Sequence, residues 1–171
     1  RGRLALALQE ALTSVTRLRA NKQIAADAES FRARMKQVLA AAEQEARTAG
    51  YGSDDIRHAL FAVIALLDET VLNCRQVMFA DWSRKPLQEE VFGVHMAGEL
   101  FFQYLQQLMG REDSPDLADL LEVYTLCLLL GLKGRYAASQ TGGEVHQIVR
   151  QLTEKMDRAR GRPGELSPRW R

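Results

Sequence analysis

The chain has few of the features that would assign it to a class at once. Its 171 residues include two cysteines and four prolines, and 23 Lys plus Arg nearly balance 22 Asp plus Glu. A formal net charge of +1 provides no global field toward nucleic acid or anionic lipid. Cys74 and Cys127 have no CxxC or histidine-spaced partner, so we expect reduced core thiols of a cytosolic domain, not a disulfide or a metal pair.

Long apolar runs are also missing. The longest, 59–67, spans nine residues, whereas a membrane-crossing helix needs about 20. We find no strand-like alternation, internal repeat or low-complexity tract. The chain begins at Arg1 without a Met and ends after a Pro-containing polar tail, so we expect a piece of a longer protein.

Helical periodicity is what the sequence does contain. Apolar residues recur at three- and four-residue steps in six segments, at about 4–18, 22–49, 53–71, 86–108, 114–131 and 143–160. With 46% hydrophobic residues, these helices can enclose one core or two small adjoining cores. The pattern predicts an all-α domain of about six to eight helices.

Two segments are apolar on all sides, which predicts enclosure by neighbouring helices. One is 59–67. The other is the apolar core 126–132, which is broken at Gly131 and passes into the basic turn 133–136. In the regular fourth segment, Gly98 is the one small residue on the apolar stripe, and we expect another backbone to approach it closely.

The acidic pair Asp68 and Glu69 follows the first enclosed run. A carboxylate in such a place needs a partner, because burying an unpaired charge is costly. The candidates are Lys133 and Arg135 of the basic turn, or backbone amides at a neighbouring helix start. A structural ion pair or cap, an exposed partner-binding spot and a catalytic group all remain open.

Other chemistry has weaker support. His95 and Glu99 lie four residues apart, with Asp68, Glu69 and Glu122 elsewhere, but carboxylate-bridged metal sites in bundles repeat Glu-x-x-His, which this chain lacks. The aromatic set is better explained as core and rim than as a ligand box; it comprises Phe101, Phe102, Tyr104, Tyr124 and Tyr136. No nucleophile elbow, phosphate-binding loop or Cys/His pair is present, so we expect neither an enzyme nor a cofactor.

Several short blocks, in order, resemble the DotU family, called IcmH in type IVB and TssL in type VI secretion. The blocks are Leu67-Asp68-Glu69, Leu72-Asn73, Trp82, Pro86-Leu87, Phe92-Gly93 to His95, Ala97-Gly98-Glu99, Phe101-Phe102, Leu121-Glu122-Val123-Tyr124, 126–131 and Gly134-Arg135-Tyr136. The tail 165–170 is similar to the segment that precedes the membrane anchor in the type VI branch. At Ala97 many members have glycine instead.

The resemblance implies two small helical bundles meeting at a cleft, with no catalytic activity. It implies a single cytoplasmic domain over 1–171, with a helical body to 162 and a juxtamembrane tail at 163–171. A transmembrane helix should follow and hold the domain on the cytoplasmic face of the bacterial inner membrane. The protein could self-associate through that helix. The implied partners are a TssM/IcmF-type membrane protein and baseplate proteins of the TssK and TssE types. The type IVB branch and, more remotely, a helical metal-dependent enzyme remain alternatives.

Residue roles follow from the matched positions. The resemblance implies partner contacts at the cleft for Asp68, Glu69, Lys133, Arg135 and Tyr136. It implies structural motif roles for Trp82, Gly98, Glu99, Phe101, Phe102, Glu122, Tyr124, Gly131 and Gly134.

Overall fold

The computed structural model describes residues 2–136 and 143–161, in which every regular element is helical. The α-helices are α1 (Arg3–Ala7), α2 (Gln9–Arg19), α3 (Ala28–Thr48), α4 (Ser53–Cys74), α5 (Leu87–Phe92), α6 (Ala97–Met109), α7 (Pro115–Leu129) and α8 (Gly143–Arg160). Short 3₁₀ turns are Val77–Phe79, Trp82–Arg84 and Gly134–Tyr136. The predicted all-α class is confirmed.

Helix α4 is the centre of the domain. It packs against α2 and α3, and also against α5, α6 and α7, while α8 lies along α7. Every residue from Phe61 to Asp68 is buried, as the uniformly apolar run predicts. Buried side chains of these helices form one continuous core around α4. Residues 163–171 of the predicted tail lie outside the described part of the chain.

Side-chain caps start two of the long helices. Asp27 Oδ1 accepts a hydrogen bond from Ser30 N (2.7 Å) at the start of α3. Ser114 Oγ accepts one from Leu117 N (3.1 Å) at the start of α7, where Pro115 is the first helical residue. Helix α3 therefore begins later than the predicted residue 22, because its first capping group is Asp27.

The fourth predicted helix is wrong as a single element. The chain leaves α5 at Gly93, which has φ +68°, and α6 begins at Ala97. The apolar rhythm continues across this break, with Leu87, Phe101 and Leu105 buried, which is why periodicity alone did not reveal it. Val91 falls on the same four-three apolar rhythm but is exposed. The first predicted helix is likewise divided, at Leu8.

Candidate docking cleft

Asp68 on α4 is the hub of a buried hydrogen-bond network. Its Oδ1 accepts from Trp82 Nε1 (2.8 Å) and Leu87 N (2.9 Å), and its Oδ2 accepts from Gln88 N (2.8 Å) and Gln88 Nε2 (3.0 Å). The carboxylate thus caps the first turn of α5, whose amide N–H groups have no partner within the helix. One side chain of α4 holds α5 and the Trp82 turn in place.

Gln88 extends this network to α6. Its Oε1 accepts from Ala97 N (2.8 Å), the first amide of α6. Because the amide group of Gln88 donates to Asp68 and accepts from Ala97, its orientation is determined by the two contacts together. The break between α5 and α6 is therefore stabilised by a side chain, and nothing in the sequence pattern identified Gln88.

Asp68 is 1% exposed, so the expectation that it contacts a partner directly does not fit the structure. The alternative raised from the sequence, a cap that binds amides at a neighbouring helix start, describes it correctly. Trp82 packs on Phe31 and Phe79, with ring centroids 5.8 and 5.5 Å away, and Arg32 Cζ lies 4.2 Å from its ring centroid. The motif position Trp82 is thus structural.

Glu69 points to the basic turn after α7. Its Oε2 accepts from Lys133 N (2.9 Å) and its Oε1 from Gly134 N (3.1 Å). The acidic pair is therefore joined to this turn through Glu69, which accepts from the backbone amides of Lys133 and Gly134. The side chain of Lys133 remains exposed.

A Schellman motif at 127–132 ends α7 and leads into the basic turn. Gly131 N donates to Leu128 O (3.1 Å) and Leu132 N to Cys127 O (3.0 Å), with Gly131 at φ +114°. A Cβ atom at Gly131 would lie 2.7 Å from Arg19 Nη2, so the guanidinium of α2 packs directly on this glycine. Arg19 was not identified from the sequence, because no local signal connects positions 19 and 131.

The basic turn 133–136 contacts α6 backbone to backbone. A Cβ at Gly98 would lie 3.1 Å from Gly134 Cα, and one at Gly134 would lie 2.8 Å from Phe102 Cε2 and closer still to Gly98 O. The close approach predicted at Gly98 is confirmed. Phe102 also contacts Tyr136, with ring centroids 5.0 Å apart. The side chain of Arg135 lies outside the described residues.

These contacts form one wall of a cleft of about 420 Å³ where α2, α4 and α7 end. Its lining residues are Leu18, Arg19, Asn21, Glu69, Thr70, Asn73, Cys74, Gly131 and Lys133. Glu69 is the carboxylate of this lining, and both its oxygens accept from the turn. The cleft therefore offers side-chain cations and amides to an incoming group.

The other motif residues lie away from the cleft. Phe101 and Tyr124 are fully buried, with ring centroids 4.6 Å apart, and burial raises the pKa of Tyr124. Glu122 Oε1 accepts from Arg160 Nη2 (2.9 Å), which also donates to Asp119 (2.7 Å). Glu99 is half-buried in the first turn of α6. These positions support the packing of α6, α7 and α8.

Metal-binding and membrane-spanning features do not occur in the described part of the chain. Residues 2–136 and 143–161 contain no group of three or more His, Cys, Asp or Glu placed to hold a metal ion. Within those ranges, no helix combines the length and apolarity that a bilayer crossing requires. Cys127 is buried, Cys74 is half-buried in the cleft wall, and both are free thiols.

The described residues thus define an all-α domain with an open cleft that is lined mainly by polar groups. The family model described as type VI secretion system protein DotU matches residues 3–171. The chain therefore belongs to the DotU family of type VI secretion proteins. A comparison with curated proteins gives no significant match.

Two solved structures are similar over nearly the whole chain. The cytoplasmic domain of TssL from Acinetobacter baumannii is 29% identical with a TM-score of 0.81, over 91% of this chain and 98% of that one. SciP/TssL from enteroaggregative Escherichia coli 042 is 28% identical with a TM-score of 0.76, over 90% and 88%. The chain is thus similar to TssL, the type VI form of the family.

Proposed function

We propose that this chain is a docking subunit of the type VI secretion membrane complex and that it binds its partners at the cleft. The observation that carries the proposal is the cleft's construction. Three helices end at it, and the Glu69 contacts to the turn fix its wall. A rigid concave surface with polar groups is suited to recognition, because little ordering is needed on binding.

The partners we propose are the cytoplasmic part of a TssM/IcmF-type membrane protein and baseplate proteins of the TssK and TssE types. Membership of the DotU family supports this assignment. The solved A. baumannii relative is a cytoplasmic domain, and we place this chain likewise, beneath the inner membrane on a C-terminal anchor. Fractionation of cells that carry the full gene tests that placement.

A steric block of the cleft tests the docking proposal. Asn73 lines the cleft and is exposed, so Asn73→Trp should fill part of it without disturbing the core. Gln151→Trp, at an exposed position of α8, is the matched control. We expect Asn73→Trp to weaken binding of at least one partner by about tenfold or more, which is about 1.4 kcal/mol, while the control binds normally.

Biolayer interferometry with each purified partner provides the measurement, and circular dichroism confirms that both variants are folded. Unchanged affinity of Asn73→Trp for every partner would remove the cleft as the docking site. Failure of the unmodified chain to bind any of them would contradict the docking function itself.

A further inference from the structure

The cleft carries cations that have no ion-pair partner in the described part of the chain. Arg19 and Lys133 line it, and Lys22 and Arg75 follow its lining residues Asn21 and Cys74 in the chain. The two segments are joined by a hydrogen bond from Gln76 Nε2 to Lys22 O (3.3 Å). We call Arg19, Lys22, Arg75 and Lys133 the basic mouth. All four side chains are exposed.

No ion pair joins the basic mouth to a carboxylate of the described residues. Elsewhere on the surface, cations are commonly paired, as Arg34 is with Glu10, Arg47 with Glu43 and Arg111 with Asp55. Glu69 is the carboxylate of the cleft lining, and its single negative charge cannot balance four cations.

Helix dipoles provide the structural alternative. Helices α2, α4 and α7 all end at the cleft, and each C-terminus carries about half a negative charge, which cations stabilise. Three such termini together with Glu69 offset part of the basic mouth. An excess of roughly one to two positive charges remains, so dipole stabilisation alone does not account for all four cations.

The remaining polar groups suit a peptide. The side-chain amides of Asn21 and Asn73 line the cleft, and neither is hydrogen-bonded within the described chain. Such amides can pair with both the N–H and the C=O of an extended backbone. Arg19 is also held in position, because its guanidinium packs on Gly131, and a held guanidinium binds carboxylates well.

We propose that the cleft binds an acidic, extended segment of a partner protein, with its carboxylates at Arg19 and Lys133 and its backbone at the two asparagines. This inference rests on the proposed docking function and names the chemistry of the docked partner. The concave shape favours a peptide over a membrane, because an extended chain can enter the cleft and reach the groups that line it, whereas a flat anionic surface cannot.

The test uses the 171-residue chain and a fluorescein-labelled eight-residue peptide of alternating Glu and Ser, with alternating Lys and Ser as its counterpart. We expect the acidic peptide to bind, measured by fluorescence anisotropy, and its affinity to fall as salt rises. Lys133→Glu and Arg19→Gln should each weaken binding by about tenfold. Arg150→Glu makes the same charge change as Lys133→Glu at an exposed position of α8, where Arg150 has no ion pair to a described residue, and should leave binding unchanged.

The outcomes separate this inference from the docking function. If Asn73→Trp and the charge variants break the partner complexes but the acidic peptide neither binds nor competes, docking stands and the acidic-segment proposal is wrong. Binding of the acidic peptide that is indifferent to Lys133→Glu and Arg19→Gln would place it elsewhere and also overturn the proposal. Binding to phosphatidylserine vesicles, lost in Lys133→Glu, without binding to the peptide would identify a lipid site instead.

Discussion

Removal of the Asp68 carboxylate should be among the most destabilising single changes in this domain. Four donors converge on its two oxygens at 2.8 to 3.0 Å. Asp68→Ala leaves all four without an acceptor, and each buried unsatisfied donor costs about 1–3 kcal/mol. Water entering the vacated space will satisfy some of them, so we expect a loss of at least about 3 kcal/mol. That is a large part of a typical stability of about 5–15 kcal/mol.

The isosteric change Asp68→Asn separates shape from chemistry. Every group that faces Asp68 is a donor, and an ionised carboxylate accepts at both oxygens, whereas an amide presents an NH₂ on one side. The Gln88 amide cannot simply turn over to compensate, because its oxygen accepts from Ala97 N. We therefore expect Asp68→Asn to cost about 2 kcal/mol although its volume is unchanged.

Urea unfolding followed by circular dichroism measures both losses. Asp81→Asn is the matched control: its side chain is 84% exposed and lies 3.8 Å from Arg84, so it should change stability by less than about 0.5 kcal/mol. Hydrogen exchange provides a local readout, since the Ala97 amide should exchange faster in Asp68→Asn. A cost for Asp68→Asn no larger than that of the control would refute the view that the network holds α5 and α6.

Two further changes test the turn and the α7 surface. Gly134→Ala should destabilise the domain by at least about 2 kcal/mol, because its Cβ would meet the backbone of Gly98. Gly93→Ala, also at positive φ but with open space around it, is the control that reports backbone strain alone. An equal cost in both variants would remove the steric argument. Burial and the hydrogen bond to Asp119 raise the pKa of Tyr51 to about 12, above the unfolded value of about 10. The contribution of Tyr51 to stability is therefore present below about pH 10 and is lost as the pH rises to about 12. The difference in ultraviolet titration between the chain and Tyr51→Phe should centre near that raised pKa, and a midpoint at the unfolded value would contradict this.

Sequence periodicity was sufficient for the all-α class and for the enclosure of α4, because both depend on which residues are apolar. It also identified Gly98, since a lone glycine on an apolar stripe leaves room for a neighbouring backbone that any larger residue would fill. It did not reveal the break at Gly93, where the apolar rhythm continues through a change of direction. That break is stabilised by Gln88, whose partners lie 20 residues before it and nine after it along the chain, and periodicity carries no information on such contacts.

The acidic pair shows where pattern-based assignment of a site reaches its limit. Adjacent positions on a helix point about 100° apart, so Asp68 and Glu69 cannot serve one contact: Asp68 faces inward to α5 and Glu69 faces the turn after α7. Both carboxylates already accept hydrogen bonds within the domain, Asp68 from backbone and side-chain donors and Glu69 from backbone amides, which leaves the cations near Glu69 as the charged groups available for binding. Glu69 thus builds the wall of a cleft whose other charged lining residues, Arg19 and Lys133, are cations.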